Sequence, residues 1–553
     1  MVQDLNIPTS GFGKVFKLCS GYLAIASCSS AEIYSSNNLH TIPLLTTCPM
    51  PFVSDSANQS QERTPLLDAL RASAYQLHAP FYAPGHKRGK GIPKPLVDLL
   101  GASVFPADLP ELPQLDNLFA PEGVIQEAQQ LAAAAFGAEQ TWFLVNGSTT
   151  GVMAAILATC CTGQKIILPR NIHQSAIAGL ILSGAVPVFI NPEYDPSTDL
   201  AYSITPTAVA AALNQHPDAK AVMMVYPTYQ GVCGDVSAIA QIAHQHNIPL
   251  LVDEAHGPHF AFHPDLPPSA LSAGADLTVQ STHKVLGAMT QASMLHIQGN
   301  RVEAQRLSKA LQLLQSTSPS YLLLASLDAA RQQMALHGEP LMTRTLQLAD
   351  EARTKISQIP GLSVMEPVKT PGFLALDRTR LTVRVTELGL TGFEADEIFH
   401  QQLGVIAELP TLQYLTFIIS LGNTEADIKQ LVQAFTTITQ EDYCPKPRTT
   451  LQDVFQQWKS QLLLIHPSSF IISPSLSPRE AFFAATETLP LDQTLDRISA
   501  ELVCPYPPGI PALMPGEIIN PAAIDYLQQV LTLGGNITGC SDPSFKTLKV
   551  VRC

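Results

Sequence analysis

The chain has 553 residues, 46% of them hydrophobic and only 14% charged, too long for one core and suited to a well-packed globule of two to four domains. Its 32 basic and 46 acidic residues leave a net charge of −14, which argues against nucleic acid or an anionic membrane as partner. No uncharged apolar run reaches the ~18 residues a membrane span needs, and the ten cysteines lack metal or disulfide spacing, which points to reduced thiols and the cytoplasm.

Lys14 and Lys17 precede an apolar stretch, Leu18 to Ser27, that imitates an export signal but is short and broken by Ser, Gly and Cys. The better reading is a disordered extension over residues 1–60, or a true start at Met50. An arm over 61–105 follows, with a helix from Leu66 to Leu77 and a loop from Tyr82 to Gly89. Gly123 to Gly137 has helical spacing and leads into a strand, Gln140 to Val145. Apolar strands are then expected at Lys165 to Pro169, Val186 to Asn191, Ala221 to Val225, Ile248 to Val252 and Leu277 to Val279. Helices are expected between them at Thr150 to Cys160, Gln174 to Ser183, Pro206 to His216 and Val236 to His246. This alternation predicts an α/β fold with a mostly parallel central sheet covered by helices, over 106–330. Ser318 to Glu339 reads as a long helix, 331–440 as a smaller α+β domain, Glu441 to Pro447 as a linker, and 441–553 as a C-terminal α+β domain with a proline-rich loop from Cys504 to Glu517.

Ligands of such sheets bind at the carboxyl ends of the strands, and four chemical features fall there in order. Leu144-Val-Asn-Gly-Ser-Thr-Thr-Gly151 joins strand to helix with small residues. Its N–H groups and the hydroxyls of Ser148 and Thr149 suit a phosphate, although an ordinary capped turn reads the same way. His173 follows the next strand, where an imidazole can stack on a pyridine ring; a loop histidine taken alone is more often structural. Asp253 ends a strand expected to be buried, where an unpaired charge is costly. A protonated pyridine nitrogen would be a fitting partner, worth about 4 kcal/mol at ~4 Å and an effective dielectric of ~20. Ala255 is small enough for a ring to lie against it, and His256 suits a proton or a substrate carboxylate, or else a second layer of hydrogen bonds. Lys284, beside Ser281 and His283, suits an imine with an aldehyde cofactor. Together these features predict a pyridoxal 5'-phosphate (PLP) enzyme. Lys87 also follows a histidine, but it sits in a Pro-Gly loop with no strand or Asp before it. The pattern gives no metal site.

The chain resembles the Orn/Lys/Arg decarboxylases, fold-type-I PLP enzymes, in their short form without a wing domain. The resemblance rests on Ser281, His283, Lys284, Gly287, Ala288, Gln291, Ala292 and Ser293, with further matches at Tyr82 to Gly89, Asp116-Asn-Leu118, Asn146 to Gly151, Asp253 to Gly257, Ser318-Pro-Ser-Tyr321 and Tyr506 to Glu517. It implies that Lys284 binds PLP covalently, Asp253 pairs with the ring nitrogen, His173 stacks on the ring, and Ser148, Thr149, Ser281 and His283 surround the phosphate. It also implies a homodimer or higher homo-oligomer with shared active sites, in which Thr317 and Ser318 reach a neighbour's phosphate. Asn117 stands where an acidic residue is expected, and the N-terminal extension has no counterpart. The implied reaction turns a basic L-amino acid, lysine or arginine ahead of ornithine, into CO2 and a diamine or agmatine for polyamine metabolism. Glu501 and Glu517 are candidates for the distal cation. The rival readings are another fold-type-I enzyme (an aminotransferase using Arg380 or Arg384, or an α-oxoamine synthase) and a catalytically silent PLP-binding regulator.

Overall fold

Seven short apolar segments find their hydrogen-bond partners in one sheet: β1 (Gln140–Leu144), β2 (Lys165–Pro169), β3 (Val186–Ile190), β4 (Ala221–Val225), β5 (Leu250–Asp253), β6 (Leu277–Gln280) and β7 (Ser293–Ile297). The computed structural model describes residues 60–440 and 471–552, apart from 473, 507, 508 and 533; the expected N-terminal extension and the 441–447 linker lie outside them. An eighth strand, β8 (Ile471–Ile472), closes one edge, and the order is β1-β7-β6-β5-β4-β2-β3-β8. The five strands from β6 to β3 run parallel, while β7 pairs antiparallel with both β1 and β6.

Alternation along the strands sends side chains into two cores, since successive residues face opposite sides of a sheet. Ile167, Val222 and Val252 point to one core, where Val209, Leu213, Ile239 and Ala243 of the helices Pro206–Gln215 and Val236–Gln245 cover them. Ile166, Leu168, Met223, Leu251 and Val279 point to the other, against Val152, Ile156, Ile177 and Leu180 of the helices Gly147–Thr159 and Gln174–Ser183. Thr205 and Asp235 start the first pair of helices by accepting from Ala208 N and Ala238 N.

β7 is absent from the sequence expectation, because the Gly287-to-Gln291 turn and the polar His296 hide a buried strand. His296 is fully buried and bonds Thr141 Oγ1 at 2.7 Å and Gln280 Oε1 at 3.2 Å across β1 and β6. The long helix also differs: it spans Tyr321–Ser357 and continues through Pro340. Its second half has an apolar face of its own, Met342, Leu346, Ala349, Ala352 and Ile356, which bridges the large-sheet core and the core of a smaller lobe. That tertiary burial outweighs the helix bond the proline removes. The smaller lobe has a four-stranded antiparallel sheet in the order Ser363–Val364, Arg380–Arg384, Tyr414–Ile418, Leu409–Pro410. The C-terminal part packs the helix Pro521–Thr532 beside two strand pairs around Val503, Leu527 and Val550.

Gly151 is where the helix Gly147–Thr159 presses hardest on the sheet: an added Cβ would meet Val279 Cγ1 at 2.6 Å and Leu144 Cδ1 at 2.8 Å. Overpacking of this kind costs about 1–3 kcal/mol. Gly151→Ala is therefore expected to lower the urea midpoint at unchanged slope, and a midpoint equal to the parent's contradicts this packing.

Candidate active site

The carboxyl ends of β1, β2, β4, β5 and β6 converge on Lys284. The short helix Thr282–Val285 follows β6, and Lys284 N bonds back to Ser281 O at 3.0 Å. Lys284 Nζ stands 2.8 Å from His256 Nε2, three residues beyond the end of β5. Burial makes an ammonium costly there and lowers the Lys284 pKa; Asp253 opposes the shift and Arg380 adds to it. His256 is likewise held well below the ordinary imidazole range, by burial first and then by the charges of Lys284 and Arg380. Amine and imidazole thus compete for a proton that neither holds strongly. The other imidazole nitrogen of His256, Nδ1, is buried with no hydrogen-bond partner among the described residues.

Asp253 is 6% exposed, and its Oδ1 accepts from Ala255 N at 3.2 Å. Burial pushes its carboxyl up, and the charge of Lys284 works against that. The neighbouring Glu254 is consumed structurally by Ala270 N at 2.7 Å and Gln280 Nε2 at 2.8 Å, and burial pushes its pKa up to about 8.

The glycine-rich turn delivers Ser148 to this group, with Ser281 Oγ donating to Ser148 Oγ at 2.6 Å. Gly147, at φ +77°, makes the bend, and the helix it opens has no side-chain cap. Its first N–H groups, with the exposed Thr149 beside them, are left for an anion. Three bonds hold the turn: Gln291 Nε2 to Val145 O at 2.7 Å, Val145 N to Gln315 Oε1 at 2.9 Å and Ser316 N to Asn146 Oδ1 at 3.2 Å. The last two bring the loop carrying Thr317 and Ser318 against the turn, and both of those residues are exposed. His283 is half-buried, its pKa lowered by burial and by Lys284.

His173 starts the helix Gln174–Ser183 by accepting from Ser175 N at 3.2 Å through Nδ1. Its Nε2 faces the C-terminal loop, since a Cβ on Gly509 would lie 3.4 Å away, and Gln174 N bonds Gly509 O at 3.1 Å.

Glu501 and Glu517, the sequence candidates for a distal cation, both have partners within this chain. Glu517 forms a two-point pair with Arg170, Nε to Oε1 at 3.1 Å and Nη2 to Oε2 at 3.0 Å, and also accepts from Met514 N at 3.0 Å. Glu501 is buried and accepts from Ser541 N at 2.7 Å and Lys549 N at 2.9 Å. Both carboxylates pin the C-terminal part together. Asp116 is structural as well, accepting from Asn117 N at 2.8 Å, Gly123 N at 2.8 Å and Ile125 N at 3.1 Å, while its carbonyl accepts from Tyr321 Oη at 2.6 Å.

Three more residues stand near Lys284: Tyr229 and Glu408, which the sequence does not single out, and Arg380, which it offers only as a possible aminotransferase arginine. The Tyr229 ring packs on His256 at 4.6 Å between centroids, with Lys284 Nζ 5.7 Å from its own centroid. Arg380 is fully buried and donates to His256 O at 3.0 Å. Glu408 is exposed, its carboxylate has no hydrogen bond or ion pair among the described residues, and its charge acts on Lys284, Tyr229 and Arg380. All three come from loops or strands far along the chain, and no local motif marks them.

A parallel sheet with an amine, an imidazole and a buried carboxylate at its carboxyl ends defines the class, a fold-type-I PLP enzyme. Among solved structures, the chain is similar to the Escherichia coli constitutive lysine decarboxylase, with TM-score 0.75 and 21% identity over 89% of this chain and 82% of that one. The Francisella novicida lysine decarboxylase gives TM-score 0.74 and 22% identity over 88% and 81%. Residues 64–375 match the Orn/Lys/Arg decarboxylase major domain, and 461–541 match the C-terminal domain of the same family. The chain is 39% identical to an arginine decarboxylase of Bacillus subtilis over 89% of its length and 99% of that protein's. It is 24% identical to the constitutive lysine decarboxylase of Escherichia coli over 83% and 76%. The chain belongs to the Orn/Lys/Arg decarboxylase family, a PLP-dependent family of carboxy-lyases.

Burial, then the charge of Lys284, lowers the His173 pKa from 6.5 to about 4. The unfolded imidazole takes its proton near 6.5, so acidification from there toward about 4 favours the unfolded state. A histidine NMR titration is expected to find His173 neutral at pH 5.5; a midpoint near 6.5 contradicts the environment described.

Proposed function

We propose that this chain uses PLP held on Lys284 to remove the α-carboxyl group of a basic L-amino acid, arginine ahead of lysine and ornithine. The observation that carries the reading is the trio of half-buried Lys284 with buried His256 and Asp253, with Lys284 Nζ to His256 Nε2 at 2.8 Å. The donor set fits the cofactor. Asp253 is a desolvated carboxylate that gains from a cationic ring nitrogen. The uncapped helix end with Ser148, Thr149, Ser281 and His283 supplies donors for a phosphate. His173 and Ala255 offer a neutral imidazole and a small side chain for the two ring faces.

Bound there, PLP supplies the electron sink that makes loss of CO2 feasible. Asp253 would keep the ring nitrogen protonated. His256 Nε2 takes or returns the proton of Lys284 Nζ, and one of these two atoms delivers a proton to the α-carbon once the carboxylate has left. Asp253, His256 and Tyr229 are largely removed from solvent, which keeps competing water from these atoms. The arginine reading is supported by relatives of 37–39% identity that carry the name arginine decarboxylase, while the lysine decarboxylases stand at 24%.

Glu408 is the carboxylate we assign to the distal cation in place of Glu501 and Glu517. The assembly is a homodimer in the cytoplasm. The exposed Tyr75, Leu77 and Phe81 of the arm gain from a second copy, and Thr317 and Ser318 stand open beside the phosphate turn. Five cysteines among the described residues are free thiols, and no described helix is long and apolar enough to cross a membrane.

A side-by-side assay of arginine, lysine and ornithine for CO2 and amine is expected to give the highest kcat/KM with arginine, and Lys284→Ala to lose more than about a thousandfold. A keto acid in place of CO2 contradicts the proposal. Losing a charge-assisted bond costs about 1.5–3 kcal/mol, so Glu408→Gln should raise KM for arginine roughly 10- to 100-fold while changing kcat far less. An unchanged KM removes Glu408 from the substrate site.

A further inference from the structure

A second buried charge cluster lies just beyond the Lys284 site, where the smaller lobe meets the large sheet. Arg380 opens the strand Arg380–Arg384, and none of it is exposed; Asp377 is equally buried and His259 is 1% exposed. Asp377 Oδ2 lies 3.2 Å from His259 Nε2 and 3.7 Å from Arg380 Nε. Its Oδ1 accepts from Thr379 N at 3.0 Å and Thr379 Oγ1 at 2.6 Å. Arg380 Nη2 donates to His256 O at 3.0 Å, whereas Nε and Nη1 have no hydrogen-bond acceptor among the described residues.

Fold stability is a poor explanation for this arrangement. Removing a guanidinium from water costs several kcal/mol, and a loosely matched carboxylate does not recover it; well-packed apolar groups often serve as well or better. The contrast with Arg331 is direct. That arginine is also fully buried, also paired with an Asp three residues away, and spends its donors on Gln61 O and Arg63 O, tying down the arm. Arg380 instead spends its one well-formed bond on the backbone of the residue whose imidazole meets Lys284.

The Arg380 stem is wedged as well. A Cβ on Gly231, which sits at φ +94°, would meet Arg380 Cβ at 2.8 Å and Cγ at 2.9 Å, and Asp377 N bonds Gly231 O at 2.8 Å. Gly231 ends the turn that carries Tyr229, whose ring packs on His256 at 4.6 Å. Arg353 Nη1 fixes the Arg380 carbonyl at 3.3 Å. One side chain of the smaller lobe therefore supports both groups that flank the reactive amine.

We propose that Arg380 is a positioning residue of the active site, acting through His256: it holds the His256 carbonyl and the Tyr229 turn so that His256 Nε2 stays on Lys284 Nζ. Its positive charge disfavours an ammonium at Lys284 in addition. This inference rests on the proposed role of Lys284. The charged and titratable groups facing that amine are Asp253, His256, Arg380 and Glu408, with His173 and His283 sensing its charge.

The test compares Arg380→Met and Arg331→Met in the PLP-loaded protein by kcat, KM and the pH midpoint of the visible absorbance. Arg380→Met should lower kcat about 10- to 100-fold with KM within about threefold. Its absorbance midpoint should move upward by about one pH unit, because a like charge has been removed from beside Lys284. Arg331→Met should lower the thermal midpoint and leave the absorbance midpoint in place. In a His256→Ala background, Arg380→Met should add little further loss, as expected for residues that act as one unit. The inference is overturned if the Arg380→Met midpoint and kcat match the parent, if its loss adds in full to that of His256→Ala, or if Arg331→Met shifts the absorbance equally. Should Arg380→Met not accumulate as folded protein, Arg380→Lys is read in its place. That variant keeps the charge but lacks the planar fork, and it is expected to keep the parent's midpoint while losing kcat; a parent-like kcat overturns the inference. Absence of any pH-dependent absorbance in the parent would instead count against the Lys284 reading itself.

Discussion

The 2.8 Å contact between Lys284 Nζ and His256 Nε2, made where Asp253 is also sealed from water, is the constraint on which the architecture depends. An amine that must be neutral to react, an imidazole that must take its proton and a carboxylate that must stay charged need one desolvated place. A parallel sheet provides it, because the ends of β5 and β6 are neighbours in register, with Asp253 paired to Val279. The chain then turns twice in short steps, Ala255-His256 after one strand and Ser281-Thr282-His283 after the other. No long flexible loop stands between the sheet and the reacting atoms.

The rest of the molecule holds this place closed. The helix Gly147–Thr159 lies flat on the sheet because Gly151 has no side chain, and this puts its N-terminal N–H groups at the level of Ser281. The C-terminal part reaches across to His173 through Gly509 and is anchored by Arg170 to Glu517. The smaller lobe reaches in from the other side through Arg380 and His256 O. Three parts of the chain, the large sheet, the smaller lobe and the C-terminal part, thus meet at one site, and the 37-residue helix Tyr321–Ser357 joins a core of the first to the core of the second.

Much of this was legible in the sequence because it is local. The apolar runs that become β2, β3 and β4 are each followed by a helix before the next strand of that sheet begins, and this alternation of short apolar runs with helical stretches marks their class. Asp253, His256 and Lys284 stand at strand ends, where a buried charge asks for a reason. The misses share one cause, dependence on distant partners. β7 is a strand only because β1 and β6 pair with it, and the helix past Pro340 survives only because two cores bury it. Glu501 and Glu517 have the chemistry of a cation site, but their partners, Lys549 N, Ser541 N and Arg170, satisfy them first. Glu408 is an ordinary residue in sequence, and Arg380 enters there only as a possible aminotransferase arginine; both become exceptional through what surrounds them.

The most direct test of the account is to load the protein with PLP, reduce it with borohydride and map the labelled lysine by peptide mass. The account predicts that the label falls on Lys284 alone and is lost in Lys284→Ala. A label on Lys87 or any other lysine, or none at all, would contradict it.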